Sequence, residues 1–196
     1  MTARALEGVR VLDLSRILAG PSAAQQLGDL GADVVKVERP GTGDDTRGWG
    51  PPFLPLGDAS APREAAYYLA ANRNKRSLVI DLASDAGAEV VRALAGRADV
   101  LVENYKTGDL SRRGLDFASL STACPRLVYC SISGFGRTGP RASEPGYDFV
   151  AQAMAGTMSI TGEPTGAPVK VGVGIADLYC GMVAVVAILA ALRHRD

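Results

Sequence analysis

Short runs of β-branched residues and leucine alternate along this chain with stretches whose apolar positions recur at helical spacing. Val9–Leu14 reads as a strand. Pro21 then opens a helix through Ser22–Leu30, closed by Gly31 just past its end. Asp33–Glu38 is a second strand, and its short spacing from the first suits a parallel βαβ unit. Residues 39–63 are rich in glycine, proline and aspartate and read as a long loop, which in a compact domain usually carries function. The pattern continues with a short helix at Glu64–Ala71, a strand at Ser77–Leu82, a helix at Ala86–Gly96 and a strand at Asp99–Glu103. A helix at Phe117–Thr122 precedes a strand at Arg126–Ser133, which runs into Gly134-Phe135-Gly136. Beyond Pro145-Gly146 come a helix at Tyr147–Ala155, a turn at Thr161–Thr165 and a short glycine-bearing strand over Val171–Ala176. That strand delivers Asp177 to the start of an almost wholly apolar helix, Leu178–Leu192.

The order predicts an α/β fold with a doubly wound, mainly parallel, Rossmann-like sheet in one domain over residues 1–196. No GxGxxG fingerprint follows the first strand, which disfavours a nicotinamide or flavin enzyme. The last helix, apolar on nearly every side, has to be buried. At 15 residues, with Gly181 inside it, it suits a core better than a membrane span. No later element covers it, so the chain reads as part of something larger or as one half of a pair.

Charge changes the picture by subtraction. Lysines and arginines number 21 and acidic residues 21, so no net field draws nucleic acid or an anionic membrane. An anionic ligand would have to meet local clusters of arginine and lysine. The cysteines Cys124, Cys130 and Cys180 are odd in number and form no CxxC pair. Neither a disulfide framework nor a metal site is expected, and a reducing cytoplasm is the natural compartment. The N-terminus lacks the apolar run of a secretory signal. The single histidine, His194, lies in the terminal Arg193–Asp196 tail, which removes Ser-His-Asp and Cys-His mechanisms from contention. A base working near neutral pH would be a tuned carboxylate, a lysine, a tyrosine or a cysteine.

Asp177 at a helix start has two readings. It is an ordinary N-cap, or an ionised carboxylate, favoured there by the helix dipole, that attacks a bound thioester. Ligands of open α/β sheets bind beyond the carboxyl ends of the strands. At those ends stand Ser15–Pro21, Arg39, Asn104-Tyr105-Lys106, and then Arg112 and Arg113. Such cations suit a ligand with several phosphates, although the same pattern is found on solvated surfaces.

Five segments carry a resemblance: LEGVRVLDLSRILAGPSAAQQLGDLGADVVKVERPGTGDDTR, NRNKRSLVIDL, DVLVENYKTGDLSRRGLD, SGFGRTGP and GYDFVAQAMAGTMSITGEPTGAPVKVGVGIADL. In order and spacing they resemble the family III CoA-transferases of the CaiB/BaiF type, which include formyl-CoA transferase and alpha-methylacyl-CoA racemase. The resemblance covers this chain but only the N-terminal half of a typical member. It implies that Asp177 is the catalytic aspartate, acylated to a mixed anhydride and then converted to an aspartyl-CoA thioester. It implies CoA contacts from Leu18, Ala19, Arg39, Asn104, Tyr105, Lys106 and Arg112. It implies acyl-CoA and a carboxylic acid as partners, a homodimer when full length, and no tightly bound cofactor or metal. Ala83 and Pro145 stand where the formyl-CoA transferase pattern has lysines, so its charge contacts are not fully kept.

Tyr147 separates two branches. The racemase resemblance calls for a histidine there, and a tyrosine of ordinary pKa is a poor base but a good donor to a carboxylate or oxyanion. The formyl-CoA transferase pattern also has a tyrosine at this position, so the resemblance implies CoA transfer between carboxylic acids with Tyr147 near the acyl group. A third possibility is a truncated fragment that binds CoA without turnover.

Overall fold

The computed structural model describes residues 4–58 and 63–196. Strand β1 (Arg10–Asp13) leads into helix α1 (Ala19–Asp29), and β2 (Asp33–Glu38) returns beside β1 in parallel register, Arg10 opposite Asp33. Gly31, at φ 110°, turns the chain out of α1 as its position in the sequence required. Helix α1 begins two residues earlier than Pro21 suggested, so the proline sits in the first turn, where its missing N–H is harmless.

The stretch expected to be loop is partly ordered. Residues 45–48 form a 3₁₀ turn, and β3 (Phe53–Pro55) pairs antiparallel with β4 (Arg63–Ala65). Residues 59–62 of that stretch lie outside the described residues. Because Glu64 and Ala65 belong to β4, the helix read at Glu64–Ala71 is α2 (Ala66–Asn72). Then come β5 (Lys75–Val79), α3 (Asp85–Ala95), β6 (Val100–Glu103), α4 (Phe117–Ser121) and β7 (Val128–Ser131). The chain ends with α5 (Asp148–Met154) and the long α6 (Ile175–Arg195).

The main sheet is five-stranded and wholly parallel, in the order β5-β2-β1-β6-β7. Strand winding reverses between β1 and β6, which opens a crevice at their carboxyl ends. Side chains alternate across the sheet. Val11, Val34, Val100 and Val102 face α1 and α6, packing with Leu27, Val185, Ile188 and Leu192. Leu12, Val37 and Leu101 face α3 and α4, packing with Val91, Leu115 and Leu120.

Two expectations are corrected here. Residues 171–174 form no strand: residues 172 and 173 are bends, and the segment pairs with no strand among the described residues. The terminal helix is longer than read and only one of its faces is covered. Gly181, Ala184, Val185, Ile188 and Leu192 are buried, whereas Tyr179 is 66% exposed and Val186 is 67% exposed. By length and composition alone this helix could cross a membrane. Its contact with α1 is unusually close, because a Cβ at Gly181 would meet the Ser22 hydroxyl and lie 2.8 Å from the Ala19 carbonyl oxygen.

Candidate functional site

The crevice between β1 and β6 is built by a buried charge network beneath the loop that follows β1. The Asp13 carboxylate, at the end of β1, accepts hydrogen bonds from the backbone N–H and hydroxyl of Ser15. Lys75 donates to Asp13 at 2.9 Å, to the Pro21 carbonyl at 2.8 Å and to Asn72 at 2.9 Å. Lys36 donates to the Ser15 carbonyl at 2.8 Å and pairs with Asp44 at 2.9 Å. All four charged groups are almost fully buried. Burial pushes the Asp13 and Asp44 carboxyls up, but the neighbouring lysines overcome it and hold both below 3.8. Burial dominates at Lys75, whose pKa falls below the usual lysine value.

Above this network Ile17 sits at φ 71°, strained for a β-branched residue, and its N–H points at the Asp44 carboxylate. Asn104, at the end of β6, locks the same loop: its oxygen accepts from Arg16 N at 2.9 Å and its amide donates to Arg16 O at 2.8 Å. Leu18 and Ala19 follow at the start of α1.

Cations gather at one side of the crevice. Arg16, Arg39 and Tyr105 line a shallow cleft together with Lys36 and Glu38. Asp45 bridges the two arginines, 2.7 Å from Arg16 and 2.5 Å from Arg39. Burial raises the Tyr105 phenol, while Arg16, Arg39 and Arg113 pull it back. Arg112 is exposed and paired with Asp109, while Arg113 donates to the Leu82 carbonyl at 2.6 Å and the Asp109 carbonyl at 2.9 Å. Arg137 ties the loop down by donating to Glu103 at 2.5 Å and to the Tyr105 carbonyl at 2.6 Å. Lys106 is exposed on that loop.

Asp177 lies in the first turn of α6. It is the third residue of α6, with Gly174 at the N-cap, so its side chain is not the cap. That role falls to Asp148 at the start of α5, whose carboxylate accepts from Ala176 N at 2.8 Å and Asp177 N at 3.3 Å. The Asp177 carboxylate has no hydrogen-bond partner among the described residues, and it is partly buried. Burial pushes its pKa up and the charge of Asp148 adds to the rise. Cys180, one turn further on, is raised by burial and by Asp177 and stays a neutral thiol at pH 7. Leu18 reaches this corner: a Cβ on Gly174 would lie 3.0 Å from its Cδ2.

Tyr147 is the N-cap residue of α5, next to Asp148. Its ring stacks on Phe149, with centroids 6.0 Å apart, and lines an apolar cavity of about 230 Å³ with Phe135, Val150 and Met154. Sequence reading missed Asp148 and Tyr67. Tyr67, on α2, is raised by burial and then by Asp177 and Asp148, which places it near both carboxylates, and it packs edge-on against Trp49. Neither residue had a signal, because nothing in the local pattern ties α2 or α5 to the start of α6.

Fold and site together define an α/β domain with an arginine- and lysine-lined crevice at its switch point and, among the described residues, an unengaged carboxylate near a helix start. The chain belongs to CoA-transferase family III, whose profile matches residues 6–196. The succinate–glutarate CoA-transferase of Agrobacterium fabrum is 54% identical over 189 residues, covering 96% of this chain and 47% of that protein. The human succinyl-CoA:glutarate CoA-transferase is 49% identical over 190 residues, 97% of this chain and 42% of that protein. The formyl-CoA:oxalate CoA-transferase of Streptomyces coelicolor is 44% identical over 196 residues, all of this chain and 46% of its own length. Among solved structures, a CaiB/BaiF family protein from Brucella suis superposes with a TM-score of 0.94 at 51% identity, over 99% of this chain and 50% of that one. The chain spans about half the length of the known relatives it matches.

Proposed function

We propose that this chain carries the nucleophile and much of the CoA site of an acyl-CoA:carboxylate CoA-transferase. The observation that supports this most directly is the Asp177 carboxylate, partly buried, free of hydrogen bonds among the described residues and beside Leu18. Elsewhere in the crevice the buried carboxylates are all engaged by lysine or arginine. The Asp177 oxygen attacks the thioester carbonyl, the C–S bond breaks, and CoA leaves as the thiolate from a mixed anhydride. The thiolate then attacks the aspartyl carbonyl and releases the first acid, leaving an aspartyl-CoA thioester. The second acid attacks that thioester and expels the thiolate, which takes the new acyl group and restores Asp177. No net proton is transferred, and the scheme calls for no resident metal or cofactor.

Arg39, Arg16 and Arg113 supply charge for the phosphates of CoA, with the Asp45 bridge exchanged for phosphate oxygens. Arg112 and Lys106 are peripheral in this reading, and Asn104 acts by holding the Arg16 backbone. Tyr147 supplies a hydrogen-bond donor near the acyl group. The names of the relatives favour short dicarboxylic acids as donor and acceptor. The complete protein is proposed to act as a homodimer.

Racemisation would need a second base opposite Asp177. The one histidine, His194, sits in the last turn of α6, and a helical rise of about 1.5 Å per residue puts it roughly 25 Å from Asp177. Incubation with an acyl-CoA and a labelled acid, followed by hydroxylamine, should yield an aspartyl hydroxamate at Asp177. Asp177→Asn should abolish it and lower turnover by about a thousandfold or more. Exchange of the alpha proton without any hydroxamate would overturn the reading in favour of racemisation.

A further inference from the structure

We propose that Asp148 is a positioning residue for Asp177, closing the first turn of α6 from a different element and fixing where the Asp177 carboxylate stands. The inference rests on Asp177 being the acylated group. A helix start leaves several N–H groups without partners. In α6 the N-cap is Gly174, which has no side chain to offer, and no capping hydrogen bond arises within the helix's own sequence. The Asp148 Oδ1 supplies the missing acceptor, 2.8 Å from Ala176 N and 3.3 Å from Asp177 N.

Asp148 is itself immobilised. Its Oδ2 accepts from Gln152 Nε2 at 2.6 Å, and Gln152 Oε1 accepts from Val171 N at 2.8 Å. Gln152 is 1% exposed, and with both ends of its amide engaged its orientation is fixed. One side chain thus holds the carboxylate and also the segment by which the chain approaches α6. Space is equally constrained: a Cβ on Gly174 would meet Leu18 at 3.0 Å and Asp148 at 3.6 Å. The loop after β1, the start of α5 and the start of α6 meet at that glycine.

The titratable groups facing Asp177 are Tyr67 from α2, Asp148 from α5 and Cys180 on α6 itself. Burial first, and then the neighbouring Asp148 carboxylate, raise the Asp177 pKa above the ordinary carboxylate value. A more basic carboxylate is the better nucleophile.

NMR of the Asp177 carboxyl carbon and the Ala176 amide in this chain tests the role. Asp148→Asn keeps an oxygen acceptor but removes the charge. The Asp177 midpoint should move to lower pH while the Ala176 amide stays protected. In Asp148→Ala that amide should exchange about tenfold faster or more, with amides of β1 and β6 unchanged. If Asp148→Ala fails to fold, the midpoint in Asp148→Asn decides. An unmoved midpoint in that variant overturns the proposal. Hydroxylamine trapping separates this from the functional reading. Without hydroxamate in the unsubstituted protein the transferase assignment fails while the NMR result stands. Normal trapping in Asp148→Asn with an unshifted acid limb refutes the positioning role.

Discussion

At the scale of single residues, the Asp177 carboxylate works against the stability of the fold that holds it. Burial and Asp148 raise its folded pKa above the ordinary 3.8. A group so raised favours the folded state most when protonated. Its contribution is fully present below the unfolded value and is lost as pH rises through the folded one. Asp177→Asn, neutral at every pH, should therefore have a higher Tm than the unsubstituted chain at pH 7. The gap should close as pH falls below about 3.8. Thermal unfolding at several pH values checks this, and an equal or lower Tm at pH 7 would sink it. Asp177 itself was legible in the sequence, since a lone carboxylate before a long apolar run is conspicuous. The direction in which its pKa moves was not, because burial is set by tertiary packing and Asp148 lies 29 residues away along the chain.

Between elements, the decisive structure is the buried network that pins the loop after β1. Lys36 lies on β2, Lys75 on β5, Asp13 on β1 and Asp44 beyond β2. Each would be too costly to bury alone. Lys36→Met keeps the volume but leaves Asp44 without its cation, and should destabilise the fold by about 3–5 kcal/mol. Urea unfolding measures this, and a loss below about 1 kcal/mol would contradict the account. The acid response has the opposite sign to that of Asp177. Asp13 and Asp44 have depressed folded pKa values, so their stabilisation is complete above 3.8 and fades as pH falls through the lower folded values. Elements with a strong period were readable in advance, such as α3 and the β1–α1–β2 unit. The hairpin of β3 and β4 was not, because three-residue strands leave little period to detect.

For the molecule as a whole, the uncovered face of α6 sets the behaviour. Ile175, Tyr179, Met182, Val183 and Val186 form one stripe at helical spacing, each at least 40% exposed. Phe149 and Met154 on α5 add further exposed apolar surface. A contiguous apolar area of this kind drives association in water. At micromolar concentrations this chain should sediment as a concentration-dependent assembly, and Met182→Lys with Val186→Lys should return it to a monomer. A constant monomeric coefficient for the unsubstituted chain would be the contrary result.

Local pattern alone determined the parallel α/β order, the glycine-closed first helix and the placing of Asp177 at the head of an apolar helix. Those features follow from residue spacing and backbone preference, which act over a few positions. Only the tertiary structure decided that Arg112 pairs with Asp109, that Asp148 caps α6, and that residues 171–174 form no strand. Each depends on which distant segments share a surface. Hydrogen bonds, burial and charge repulsion act through space across separations that no sequence period records.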